Sequence, residues 1–182
     1  TLYIDVQSGS MEYIHMDKTH AETGMLRMYA PDGSLLSTAT LNSMKGRGNT
    51  TWDAKKKPYN LTLSEPADLL GMGSAQRWIL LAEGHNASIV RNKIVYDFSK
   101  TVGTPFAPDS EWVDLYLNGE YAGIYLLSER NEIHADRVNI AQEGSALISM
   151  ESERLLNAQK IPHVLTDAER ALRIRNSSLD QE

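Results

Sequence analysis

Two clusters of positive charge stand out in a chain whose formal net charge is −6. The first is Arg91-Asn92-Lys93, early in the stretch "ASIVRNKIVYDFSKTVG" (87–103). Val90, Ile94, Phe98 and Val102 recur there every four residues, the spacing of one helical stripe. The stretch predicts a helix over 88–102, capped by Ser88 and ended by Gly103. Cations in a first turn meet the positive end of the helix dipole, at about 0.3–1 kcal/mol each. Whatever they face must offset that. The second cluster is Lys55, Lys56 and Lys57, directly before "PYNLTL". One of these could point inward at a phosphate. A solvated run that discourages sheet-to-sheet pairing is the blander use of the same residues. Strand alternation sends Lys55 and Lys57 to one side and Lys56 to the other, so no single shared role is expected.

Other chemistries find little support. There is no cysteine, which excludes disulfides, zinc thiolates and a thiol nucleophile. The five histidines (His15, His20, His85, His134 and His163) show no metal-ligand spacing. No Gly-x-Ser-x-Gly elbow occurs. "GRGN" at 46–49 lacks the Gly-Lys-Ser/Thr end of a phosphate loop and reads as a tight turn. Asn-x-Ser/Thr sequons begin at Asn49, Asn60, Asn86 and Asn176, and they matter only in a secretory setting.

The elements that would position these residues are mostly strands. Residues 1–6 alternate as a strand from the outset, which is how a processed or trimmed protein begins. Pro31-Asp32-Gly33 marks a turn. "YNLTL" places Tyr59, Leu61 and Leu63 on one face, with Pro58 demoting it to an edge strand. Residues 78–82 form a short apolar run, the mark of a buried strand. The sharpest local signal is "WVDLYLNGEYAGIYLLSER" (112–130), two apolar runs about Asn118-Gly119, the type I′ hairpin dipeptide. That register puts Val113, Leu115, Ala122, Ile124 and Leu126 on a core face. Tyr116, Tyr121, Tyr125 and Glu129 then share the other, aromatic and polar face, open at Gly123. Residues 144–150 add a strand. Thr166 and Glu169 have capping-box spacing, predicting a helix at 167–175.

At 182 residues, with 41% hydrophobic and 23% charged content, the chain is long enough to bury a core as a soluble globular domain. Its acidity argues against a surface devoted to nucleic acid, and no apolar run reaches the roughly 20 residues that span a bilayer. Pattern alone reaches an α+β domain with a basic loop, a capped helix and a mixed hairpin.

The order of segments adds to this. "KGRGNTTW", "KKKPYNLTL", "LLGMGSAQRWILLAEGHNASIVRNKIVYDFSKTVG" and "SEWVDLYLNGEYAGIYLLSER" together resemble the CotH (spore coat protein H) kinase family over roughly residues 44–140. The resemblance implies an α+β fold, the β-rich N-terminal half of an atypical protein-kinase-like domain, with a hairpin and one main helix. It assigns residues 1–150 to that domain and leaves 151–182 as a weakly patterned continuation. It implies ATP and Mg²⁺ as cofactors, a coat or surface protein as substrate, and an extracellular, cell-surface or spore-coat location, with no nucleic acid and no membrane insertion. In that setting Arg91, Lys57 and Lys56 are the residues expected beside the phosphates, and Glu129 the carboxylate that orients a cation. Tyr125 is the aromatic that could stack on adenine. An ion pair between Arg91 and Glu129 under the hairpin is the structural alternative. The family's acidic stretches, an Asn/Asp-containing segment and a later Trp-Asp-x-Asp, have no counterpart here, and phosphoryl transfer needs such groups. The chain by itself is therefore expected to transfer phosphate poorly. A non-catalytic surface module that binds a protein or a glycan is the alternative function.

Overall fold

The period-two segments become strands that close on themselves. The computed structural model describes residues 1–84, 88–140, 146–158, 160–161, 163–166 and 170–174. They fall into two units, Thr1–Arg130 and Asn131–Glu182. The first unit contains, in chain order, β1 (Leu2–Val6), α1 (Glu12–Met16), β2 (Ala21–Tyr29), β3 (Leu35–Gly46), a 3₁₀ turn (Thr50–Asp53), β4 (Tyr59–Asp68), β5 (Ser74–Leu81), α2 (Arg91–Thr101), β6 (Ser110–Leu117) and β7 (Glu120–Glu129). Its strands form a closed barrel in the order β1-β2-β3-β4-β5-β7-β6. Neighbours are antiparallel except at the seam, where β1 lies parallel to β6 with Tyr3 opposite Tyr116.

The inward residues of the strands make one core. Leu2 and Ile4 of β1, Leu26 of β2, Leu41 and Met44 of β3, Leu61 and Leu63 of β4, Leu80 of β5 and Leu115 of β6 are all buried. Trp78 of β5 lies fully inside, its indole N–H donating to the Ala75 carbonyl at 2.9 Å. Filling a barrel this narrow with side chains is what removes its interior from water. Closure also removes free edges. Pro58 therefore does not mark an edge strand: β4 pairs with β3 and β5, and the proline stands just before it, where its missing N–H forfeits no ladder bond.

This architecture corrects the α+β, atypical protein-kinase-like expectation. An α+β domain needs a helix buried against its sheet. Here α2 buries no residue, and Ile94, Phe98 and Val102 are 59%, 62% and 58% exposed. The four-residue stripe is present, but it does not face the barrel core. Nor does Ser88 cap the helix. Val90 is the N-cap, without a side-chain cap bond, and the helix begins at Arg91. No helix among the described residues is long and apolar enough to cross a membrane.

The hairpin differs from its expected register by one residue. Leu117 pairs with Glu120 and Tyr116 with Tyr121, as a two-residue turn dictates. A bulge then sets Leu115 opposite Gly123 and Val113 opposite Tyr125. Gly123 has φ +101°, which glycine alone adopts cheaply. A one-residue slip exchanges the two faces of a strand. Tyr125 accordingly turns into the core at 2% exposure, and Ile124, expected inside, is 42% exposed.

Gly46 closes β3 against the ring of Trp52. A Cβ there would lie 2.5 Å from Trp52 Cζ3 and 2.9 Å from Lys18 Cα. Gly46→Ala should thus cost about 1–3 kcal/mol through overpacking, read as a lower urea midpoint.

The second unit carries β8 (Ile148–Glu151), α3 (Glu153–Ala158), β9 (Val164–Leu165) and β10 (Ala171–Ile174), its strands ordered β8-β10-β9. Residues 171–174 are a strand, not the continuation of the expected helix 167–175, and residues 167–169 lie outside the described ones. Pairing with β8 and β9 is the tertiary contact that overrides the local capping signal.

Candidate functional site

Residues 54–58 belong to no helix or strand, and alternation does not govern them. Backbone contacts hold the segment in place. The Tyr125 hydroxyl donates to the Lys57 carbonyl at 2.9 Å, and the Arg47 amide donates to the Pro58 carbonyl at 3.2 Å. Gly84 packs so closely that a Cβ would lie 2.7 Å from the Lys56 carbonyl oxygen. The result is that Lys55, Lys56 and Lys57 all line one open cavity of about 780 Å³. This corrects the expectation of opposite sides. His15, Tyr59, Asn118, Tyr121 and Tyr125 also line it, as do the carboxylates Glu12 and Glu120.

The lysines are individually oriented. Lys56 places its ammonium 4.4 Å over the Tyr125 ring and donates to the Ile124 carbonyl. Gly123 lies beside this side chain, where a Cβ would come into ordinary contact with Lys56 Nζ at 3.7 Å. Burial pulls the Lys56 pKa below its ordinary value, and nearby Glu83 partly opposes this. Lys57 turns the other way, 4.4 Å over the Trp52 ring, donating to the Trp52 carbonyl at 2.9 Å. Both ammonium groups thus rest on aromatic faces, an attraction of about 0.5–1 kcal/mol at exposed sites.

Tyrosines and a histidine form the floor. His15 Nε2 and the Tyr59 hydroxyl share a 2.7 Å hydrogen bond, and the Tyr59 and Tyr125 rings stack at 6.2 Å. Burial raises the pKa of both phenols well above the usual tyrosine range, so both remain protonated donors. Burial, then the charge of Lys57, lowers the His15 pKa from its ordinary value of 6.5. A histidine depressed in the folded state costs stability as pH falls through its unfolded value and stops costing more below its folded one. The stability of wild type relative to His15→Gln should therefore decline from pH 7.5 towards pH 5, as urea titrations at the two pH values would show.

Of the five residues expected to bind a nucleotide, Lys56, Lys57 and Tyr125 meet in this cavity, whereas Arg91 and Glu129 do not line it. Arg91 is exposed at the head of α2. Glu129 is 8% exposed at the end of β7, its Oε2 accepting from the Asp109 amide at 2.8 Å. In the first turn of α2 the charge that the protein offsets is that of Lys93. Asn92 donates to Glu83, and Lys93 donates to the Ser110 carbonyl at 2.8 Å and lies 3.0 Å from Asp97. Sequence reading missed Glu83 and His15. Glu83 lies between Lys56 and Asn92 and adopts φ +50°, and its placement before Gly84 at the end of an apolar run was the available signal.

The lining combines three lysines, three tyrosines and Asn118, residue types that suit phosphates and an aromatic base. Among the described residues, no group of three or more His, Asp or Glu side chains is placed to hold an ion.

A family described as CotH kinase protein matches residues 44–178. This chain belongs to the CotH family. Inner spore coat protein H of Bacillus subtilis (strain 168) is 35% identical over 80 residues, covering 44% of this chain and 21% of that relative. The chain thus matches about a fifth of the relative's length. The CotH match begins at Met44, so it takes in the cavity's lysines, Gly123 and Tyr125, while His15 and Glu12 come from the preceding residues.

Proposed function

We propose that the lysine-lined cavity of this CotH chain binds the phosphates of ATP, and that the chain is the nucleotide-holding part of a coat-associated CotH phosphotransferase acting on a coat or surface protein. The observation that carries this reading is the convergence of Lys55, Lys56 and Lys57 on one cavity with aromatic walls. Ammonium groups resting on rings are already directed before a ligand arrives, so less side-chain entropy is lost on binding. Lys56 and Lys57 neutralise phosphate oxygens from two directions. Glu12 and Glu120, also in the lining, accept hydrogen bonds from ribose hydroxyls. Tyr121, which is 56% exposed at the rim, offers a face to the base. Transfer of the terminal phosphoryl group needs groups that position the acceptor hydroxyl and hold Mg²⁺. In this reading the lysine cavity gives the phosphates a place, and the groups that position the acceptor and hold Mg²⁺ are not among the residues assigned to it. Association with a spore coat follows the relative, an inner spore coat protein.

Titration calorimetry with adenosine, AMP, ADP and ATP tests the proposal. Affinity should rise with each phosphate and fall with added salt, because the contacts are ionic. Equal affinity for adenosine and ATP, or no binding of ATP by the folded chain, contradicts it.

A further inference from the structure

A row of tyrosines on the outside of the barrel runs away from the lysine cavity, which it reaches at Tyr121. Tyr29, Tyr3, Tyr116 and Tyr121 come from the successive strands β2, β1, β6 and β7. Their rings form a continuous row. Tyr29 meets Tyr3 edge to face at 5.6 Å and 89°, Tyr3 stacks on Tyr116 at 4.7 Å and 18°, and Tyr116 meets Tyr121 at 5.1 Å. The parallel seam of the barrel creates the row by setting Tyr3 opposite Tyr116, and the hairpin extends it by setting Tyr116 opposite Tyr121.

At the Tyr29 end the row borders a cavity of about 560 Å³, also lined by Thr1, the 30–33 turn and Gly119. Two of its walls are the perpendicular rings of Tyr3 and Tyr29. Asp5 and Arg27 also line it and are ion-paired, their side chains 40% and 44% exposed. The bond to Asp5 is made by Arg27 Nη2, one of five guanidinium donors, while Nε is buried without a hydrogen-bond partner among the described residues.

We infer that this corner is a binding site for a neutral saccharide. Aromatic faces carry negative quadrupole charge and attract the weakly positive C–H groups of a pyranose ring. A right-angled pair of rings supplies one face for stacking and one boundary for the sugar's edge. Tyr116, stacked behind Tyr3, fixes the orientation of the first. The Asp5 carboxylate accepts from one sugar hydroxyl, and the Arg27 guanidinium beside it donates to the neighbouring one. The cavity volume lies in the range of small-ligand sites, about 300–1,000 Å³. Asp5 and Arg27 in the lining offset one another in charge, which fits a neutral saccharide.

Titration calorimetry with cellotetraose, maltotetraose and chitotetraose tests this on the whole chain. At least one should bind with a Kd of about 1 mM or tighter. Tyr29→Ala and Tyr3→Ala should weaken that binding roughly tenfold, consistent with a lost aromatic contact, and leave ATP binding as in wild type. Arg27→Gln removes an exposed ion pair of small structural worth, so this variant keeps the fold if Tyr3→Ala does not. It too should weaken the sugar and not ATP. If none of the three saccharides binds the folded wild type, or if Tyr29→Ala and Arg27→Gln bind as wild type does, the inference is overturned. A polyanion such as heparin binding in their place, with loss on Arg27→Gln, also overturns it.

Discussion

Trp78→Ala should lower the unfolding free energy by about 3–5 kcal/mol, the range for deleting a large aromatic from a core. The indole is fully buried, and its N–H is satisfied by the Ala75 carbonyl, so the substitution removes both packing and a hydrogen bond. Trp78 lies opposite Leu61 on β4 and Glu129 on β7. A cavity at that point loosens the pairing that carries β7, and with it the Gly123 bulge and Tyr125. Domains have only about 5–15 kcal/mol in hand, so a large share of the margin disappears. Urea unfolding followed by far-ultraviolet circular dichroism measures the change. A loss under about 1 kcal/mol would contradict a closed, filled barrel, because an indole in an open or wet interior leaves no such void.

Lys56→Ala and Lys57→Ala should each weaken ATP binding about tenfold or more, since hydrogen bonds to charged groups are worth about 1.5–3 kcal/mol each. Arg91→Ala and Glu129→Gln should leave ATP affinity near the wild-type value, because neither residue lines the cavity. Their melting temperatures separate the effects. Lys57 also holds the Trp52 carbonyl and stacks on its ring, so its loss will soften the 3₁₀ turn slightly. Lys56 makes its contacts to Ile124 and Tyr125 on β7, and its removal should alter stability little, by analogy with other partly exposed polar contacts. Loss of binding in Arg91→Ala with retention in both lysine variants would move the phosphate site to the head of α2.

Local chemistry was readable where a few neighbouring residues decide the outcome. Asn118-Gly119 dictated its turn, and Gly119 has φ +83° and Asn118 φ +50° there. Tyr59, Leu61 and Leu63 alternate into the core as their spacing required. The misses share a cause. Alternation carried through "EYAGIYLL" assigned Tyr125 to the outside, whereas the glycine inside that run marked a bulge that reverses the rest of the strand. The parallel pairing of β1 with β6 joins segments more than a hundred residues apart, and neither strand's own pattern specifies it. The stripe of α2 identified a helix and one apolar side, but a stripe does not name what it packs against, and here the barrel core is not its partner. The lysines were misplaced for a similar reason. Two-fold alternation was applied to residues 55–57, which precede the strand and are bent into place by Tyr125, Arg47 and the absence of a side chain at Gly84.

The location of the nucleotide is the point on which the functional account turns. Backbone amide chemical shifts of the isotope-labelled chain, followed during titration with ATP, report it directly. The account predicts the largest changes at Lys55, Lys56, Lys57, Tyr59, Gly123 and Tyr125, with Arg91, Asn92 and Lys93 little affected. Changes concentrated at residues 91–93 and around Glu129, with the lysine segment unmoved, would contradict it.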